Sequence, residues 1–537
     1  MNPYLRFVQR RHIAFALFVV LLLTVTEANG VSIEYSCIRL ISQDGIRQNW
    51  LANITTGQVS KTDLPNIIYQ PYAISPDGHY AIYRNPQPES APHTQDHYQL
   101  VVQSWFGKPV VLQQDIPDNS GANVWFQWSP DSQRFIYTAI SGYIPDSSAK
   151  INVTIAEPDG KETPISSYDP SWASLGSNSP FLEVELLGWS SDGEYVAFLH
   201  PNGKEKSTDL EIWSVSEKHL VSYKLPPQDD PYDMHFIGQV WIGHKIAFVL
   251  RGSLVVASAD NENIQTYTLP SSDQPDNTIR HLIWSPDGRF LAVLSLNLDI
   301  LDVQHQKFVE SVHQGLTSHV GAPQYCGDCV YPDYDIEPVT WSNDSKTVYM
   351  FQGPPDYDKS ANLVALNVST GKFETLITNI KDARWLLPAR LLAHTVKNTN
   401  GDKLYWFDVQ THTDHSIDNL PAEALWNVVL SPNRQYMLLT FEEIIDPKQN
   451  TFKDVVELLP LTGPWIKKLA TASSYADTRS FVWSPNSANV AIAIQGNYQD
   501  VKPTPDLLVF NTQAALVQRF PQTSPDVGYP LWTQCKQ

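Results

Sequence analysis

Cysteine is scarce in this chain of 537 residues, with four in all, which excludes a small scaffold stapled by dense disulfides. Cationic residues are also short. The 37 Lys and Arg stand against 57 Asp and Glu, for a formal charge of -20. A chain so poor in surplus cations has little with which to neutralise phosphates, so no nucleic-acid partner is expected. Glycine (25) and proline (39) are too few and too irregular for a collagen-like or low-complexity segment. Catalytic signatures are missing: there is no Gly-x-Ser-x-Gly elbow, no His-Glu-x-x-His and no glycine-rich phosphate loop. Long hydrophobic runs are missing too, apart from Ile13 to Val25, and a membrane span needs about 20 apolar residues.

What is present is a folded composition, 42% apolar and 18% charged, with 16 Trp, 24 Tyr and 20 Phe. The N-terminus reads as an address. Arg6, Arg10 and Arg11 precede the apolar run, and Ala28-Asn29-Gly30 supplies small residues for cleavage. Residues 1–30 are therefore expected to be a signal peptide, and 31–537 the mature, extracytoplasmic domain: secreted, periplasmic or at the cell surface. Uncleaved, the same run would be the chain's one membrane anchor.

One phrase returns along the mature chain. It reads AISPDGHYAIYR from Ala73, WSPDSQRFIYTA from Trp128, WSSDGEYVAFLH from Trp189, WSPDGRFLAVLS from Trp284, WSNDSKTVYMFQ from Trp341, LSPNRQYMLLTF from Leu430 and WSPNSANVAIAI from Trp483. Degenerate copies start at Trp241 (WIGHKIAFVL) and Trp385 (WLLPARLLAHTV). These nine are numbered units 1 to 9 in chain order. From position 74 to Trp532 the nine intervals average near 51 residues, close to the length of a four-stranded propeller blade. Each unit contains four short apolar stretches, and Ser-Pro-Asp-Gly joins the first two. Proline presets the turn, Asp bonds its own backbone and glycine accepts positive φ, so turn chemistry accounts for the repeated Asp.

The phrase resembles the WD40-like repeat of TolB-type β-propellers, a Trp-Ser-Pro-Asp-Gly turn followed by an apolar strand. That resemblance implies an all-β fold of four-stranded antiparallel blades. It does not choose a function, because the family spans scaffolds, peptide-binding modules and propeller gates of peptidases.

The chain ends read as parts of one composite unit. SCIRLIS, NWLANITT and QVSKTDL match second, third and fourth strands, and GYPLWTQCKQ matches the missing first strand. Pairing them closes the array and removes its open edges, for about ten units in one large ring or two smaller ones. In that arrangement Cys37 and Cys535 lie on hairpin partners, within reach of a disulfide. Cys326-Gly-Asp-Cys329 leaves three readings: a small loop disulfide, a redox-active pair, or a metal site with His313 and His319.

Three functions remain: a non-catalytic binding or scaffold protein, an enzyme with a loop-borne acidic active site, or a passive part of an envelope assembly. The binding reading rests on loop lengths. Turns between first and second strands, and between third and fourth, are short. The other two classes of connection are long, and alternate turns emerge on alternate faces, so the long ones share a face. They carry Tyr143, Tyr334, Tyr357 and Tyr498 beside Asp333, Asp335, Asp356, Asp358 and Asp500. Tyrosine gives contact area at low entropic cost, and the carboxylates suit a basic partner or a hard cation such as calcium. The expected partner is a protein, peptide or glycan. No catalytic residue, resident metal or other cofactor is assigned.

Overall fold

The computed structural model describes the strands and short turns from Cys37 to Thr533; residues 1–36, 534–537 and most of the longer connections, including 142–149, 169–183, 313–338, 354–359 and 495–505, lie outside the described residues. Those described are all-β, and among them no helix is long and apolar enough to cross a membrane. The strands form nine antiparallel sheets, eight of four strands and one of seven. Seven of the four-stranded sheets follow chain order, the meander of which a propeller blade is built.

The eighth joins the chain ends. Tyr529–Thr533 pairs with Cys37–Ile41, bringing Trp532 opposite Ile38 and Thr533 opposite Cys37, and Trp50–Asn53 and Val59–Lys61 complete the sheet. This is the composite unit expected from the sequence. Cys37 is fully buried and disulfide-bonded. Cys326, Cys329 and Cys535 lie outside the described residues.

The seven-stranded sheet departs from expectation. The sequence reads as separate strands in units 6 and 7, yet Lys372–Leu387 is continuous, fourth strand of one and first of the next. Its first half pairs with Ala361–Asn367 and its second with Leu391–Val396. Asn379, at φ 60°, and register shifts on both sides of Ile380 let one strand serve both units.

Burial explains how the sheets associate. Nine clusters of buried apolar side chains each draw on two successive units, from units 1 and 2 through units 8 and 9 to unit 9 with the composite unit. The repeat tryptophan sits in these seams. Trp284 packs with Ala247, Val249 and Leu254 of unit 4, and its indole N–H donates to the carbonyl of Val240 at 3.2 Å. Trp189, Trp341, Trp483 and Trp532 make the same bond to Gln127, Ile283, Val429 and Val482, at 2.9–3.3 Å. The tryptophan thus pins each of these units to the first strand of the unit before it, a buried polar tip satisfied within an apolar seam.

Candidate functional site

The repeated turn has a fixed internal wiring. In unit 5 the Ser285 hydroxyl donates to Asp287 at 2.6 Å and accepts the N–H of Phe290 at 2.9 Å, while Asp287 accepts the N–H of Arg289 at 3.0 Å. Ser190 with Asp192 and Ser484 with Asn486 repeat the serine-to-acid or serine-to-amide bond. The position after the Asp or Asn is left-handed, held by Gly193 and Gly288 but also by Ser132, Ser345 and Ser487. There the serine hydroxyl accepts the backbone N–H of Asp77, Asp287 or Asn433 in the preceding unit, at 2.9–3.1 Å. The repeated Asp is therefore structural, and on the short-turn face these bonds tie units 1 to 2, 5 to 6 and 8 to 9.

Long connections leave from the opposite end of the sheets, although there Leu250 pairs with Ser253 and Leu294 with Leu298 across short ones. All nine residues expected there (Tyr143, Asp333, Tyr334, Asp335, Asp356, Tyr357, Asp358, Tyr498 and Asp500) lie outside the described residues. The strand ends that bracket them are described. Ser141 pairs with Lys150, Gln352 with Asn362 and Ile494 with Asp506, so each of these three connections leaves and re-enters between paired neighbours.

Toward that same end, in the seam between units 2 and 3, lies a polar cluster that sequence reasoning missed. Ser207–Ser214 is buried at every position, yet it contains Asp209 and Glu211. His200 stands on the neighbouring strand opposite Asp209, and its Nε2 lies 3.3 Å from Glu211. The Tyr168 hydroxyl of unit 2 donates to the other Glu211 oxygen, and its ring stacks on His200 with centroids 3.8 Å apart. Burial, then the Glu211 carboxylate, push the Tyr168 phenol above the ordinary tyrosine range, so it stays a neutral donor. Equivalent third-strand positions hold Val255, Val364 and Leu508, but also Asp299 and Glu457. Comparing copies at that register would have exposed the substitution.

A second buried histidine, His394, sits in unit 7 with Nε2 3.0 Å from Asp414 and its ring stacked on Tyr405. Its Nδ1 is buried without a partner among the described residues, and burial holds its pKa below the usual imidazole value. Neither cluster holds an exposed nucleophile. Among the described residues no three His, Cys, Asp or Glu side chains are placed to hold a metal ion. The Glu211 cluster joins units 2 and 3 across their seam, whereas the contacts of His394 stay within unit 7.

No family model matches the chain, and no curated protein does. Solved structures similar to it include a eukaryotic initiation factor, at 16% identity over 93% of this chain and 98% of that one, with a TM-score of 0.44. Dipeptidyl peptidase 4 of Porphyromonas gingivalis is 12% identical over 91% of this chain and 66% of its own, with a TM-score of 0.40. TolB of Acinetobacter baumannii is 15% identical over 64% and 84%, with a TM-score of 0.25.

Proposed function

We propose that this chain is an extracytoplasmic, non-catalytic binding protein: a β-propeller of ten units, closed through its terminal strands, that holds a protein, peptide or glycan on its long-loop face. The observation that carries this reading is the contrast between the two ends of the sheets. At one end the turns are short and, in three seams, hydrogen-bonded to the turn of the next unit. At the other, paired strand ends frame the long acidic, tyrosine-bearing connections. Long loops on a rigid scaffold are where binding residues concentrate. An unbroken series of seams from unit 1 to the composite unit favours a single ring over two. Cys535 lies two residues beyond Thr533, the partner of Cys37, which favours Cys37–Cys535 as the closing disulfide. Non-reducing peptide mapping should find that link, and a Cys37–Cys326 or Cys37–Cys329 peptide would refute it.

The binding test uses the full mature chain as bait against a native envelope extract, with calcium present or chelated. Replacing Asp356, Tyr357 and Asp358 together by Ala should deplete the captured partner and leave stability within about 1 kcal/mol, as exposed-loop changes do. Glu217→Ala with His219→Ala, on the short-turn face, should leave capture intact. If only the short-turn variant loses the partner, the face is assigned backwards.

A further inference from the structure

We infer that the short-turn face carries a separate binding site, an open cleft between units 4 and 5 that takes the carboxylate end of a short peptide. The cleft encloses about 450 Å³, and its polar lining includes Lys245, Asn263, Gln265, Arg289, Gln304 and Gln306. Its origin is a shortened turn. In unit 5 the first-strand Trp284 pairs with Leu291, seven residues on, and Trp189, Trp341 and Trp483 pair at the same spacing. In unit 4, Trp241 pairs with Ile246, only five residues on. The Ser-Pro-Asp-Gly turn is there replaced by Gly243-His244. In three other seams successive turns are hydrogen-bonded, as where the N–H of Asp287 reaches Ser345. Between units 4 and 5 the shorter turn leaves Ile242 as the neighbour of Gly288 and a gap beyond it.

The lining suits an anion with amide groups behind it. Lys245 is only partly exposed and has no ion-pair or hydrogen-bond partner among the described residues. Arg289 gives Nε and one amino group to the buried Asp302, at 3.2 and 2.8 Å, leaving its other donors without a described partner. Asp287 also lines the cleft, but one of its oxygens is held by Ser285 and the N–H of Arg289. With Arg289 already paired to Asp302, the Lys245 ammonium is the lining cation left to face an anion. Asn263 and Gln265 alternate along one strand and so share a face, and Gln304 and Gln306 lie on the following unit's turn. Carboxamides donate and accept together, as a peptide backbone requires. No aromatic ring lines the cleft, which disfavours sugars and bases that bind by stacking. The volume lies within the range of small-ligand pockets.

The test titrates N-acetyl-trialanine, with a free carboxylate, into the full mature chain by ligand-observed NMR. Its C-terminal amide and glucuronate serve as the comparison ligands. Saturable binding is expected for the carboxylate peptide. Amidation, or Lys245→Gln, should weaken it about tenfold, the size of one charge-assisted hydrogen bond. A second variant, with Pro-Asp inserted after Ile242 to restore the seven-residue spacing, should abolish binding while the thermal transition is kept. Absence of saturable binding by the wild-type chain overturns the proposal, as does equal binding of the amide or indifference to Lys245→Gln. Tighter binding of glucuronate overturns the peptide assignment. None of these outcomes depends on the long-loop face, so the two readings fail separately.

Discussion

Trp284 and Trp385 are each 8% exposed and occupy equivalent seams, but only one of their indole N–H groups is used. Trp284 donates to Val240; the Nε1 of Trp385 is buried without a partner among the described residues, beside a register shift between Trp385 and Leu387. Replacing each by Phe keeps an aromatic ring and removes the N–H. At Trp284 the variant loses a hydrogen bond of about 1 kcal/mol and strands an acceptor. The smaller ring adds a cavity term of about 1 kcal/mol, for a total of about 2–3 kcal/mol. At Trp385 the cavity term is similar, but deleting an unsatisfied buried donor returns about 1–3 kcal/mol of desolvation cost. The net change there should be near zero. Urea midpoints and thermal transitions, followed by circular dichroism, should place Trp284→Phe clearly below wild type and Trp385→Phe close to it. Equal losses at the two sites would refute the idea that the N–H bond, rather than ring volume, pins the units.

Two further outcomes follow from buried ionisable groups. Burial would raise the Asp302 pKa, but hydrogen bonds from Arg289 and His305 outweigh it and hold the carboxyl at about 2. A depressed pKa stabilises the fold above the ordinary carboxylate value and loses that contribution as pH falls through about 2. Asp302→Asn should therefore cost about 2 kcal/mol at pH 7, with the gap narrowing at pH 2.5 in urea unfolding; a pH-independent gap would sink the argument. For Tyr168 the pKa is raised, so stabilisation by the neutral phenol is present below the unfolded value of 10.0 and is lost above it. Tyr168→Phe should leave the tyrosinate absorbance of the folded protein at pH 11 unchanged and should cost about 1.5–3 kcal/mol, because Glu211 loses a donor; an absorbance loss of one tyrosinate would show that the phenol is not held neutral.

The turn wiring was legible in the sequence because it is local: serine, Asp or Asn, and a left-handed residue fall at fixed offsets and bond one another. The pairing of Cys37–Ile41 with Tyr529–Thr533 was legible because copies could be compared. The continuous strand from Lys372 to Leu387 was not. Thr378-Asn379 reads as a break, and only the pairing on both sides shows that the chain bends there without leaving the sheets. Nor were His200 and Glu211 legible as a buried pair, since acids in an acidic chain are ordinarily solvated. Their burial depends on Tyr168 arriving from another unit.

The repeat also gives its own departures meaning. Where a copy keeps the seven-residue turn, its neighbour's turn has something to rest on, and Ser132, Ser345 and Ser487 accept backbone bonds across the seam. Where unit 4 drops two residues, that contact goes and Lys245 is left beside an open cleft. Where hydrophobic third-strand positions become Glu211, Asp299 and Glu457, burial of an acid requires a partner from nearby, because an unpaired buried carboxylate is costly. Tyr168 meets that requirement for Glu211 from the adjoining unit, which makes the seam between units 2 and 3 depend on polar fit as well as on area. A seam of that kind tolerates less sliding than an apolar one, since a shift of either strand breaks a bond that water cannot replace. In this chain, fold is written by what the copies share, and its most specific contacts by where they differ.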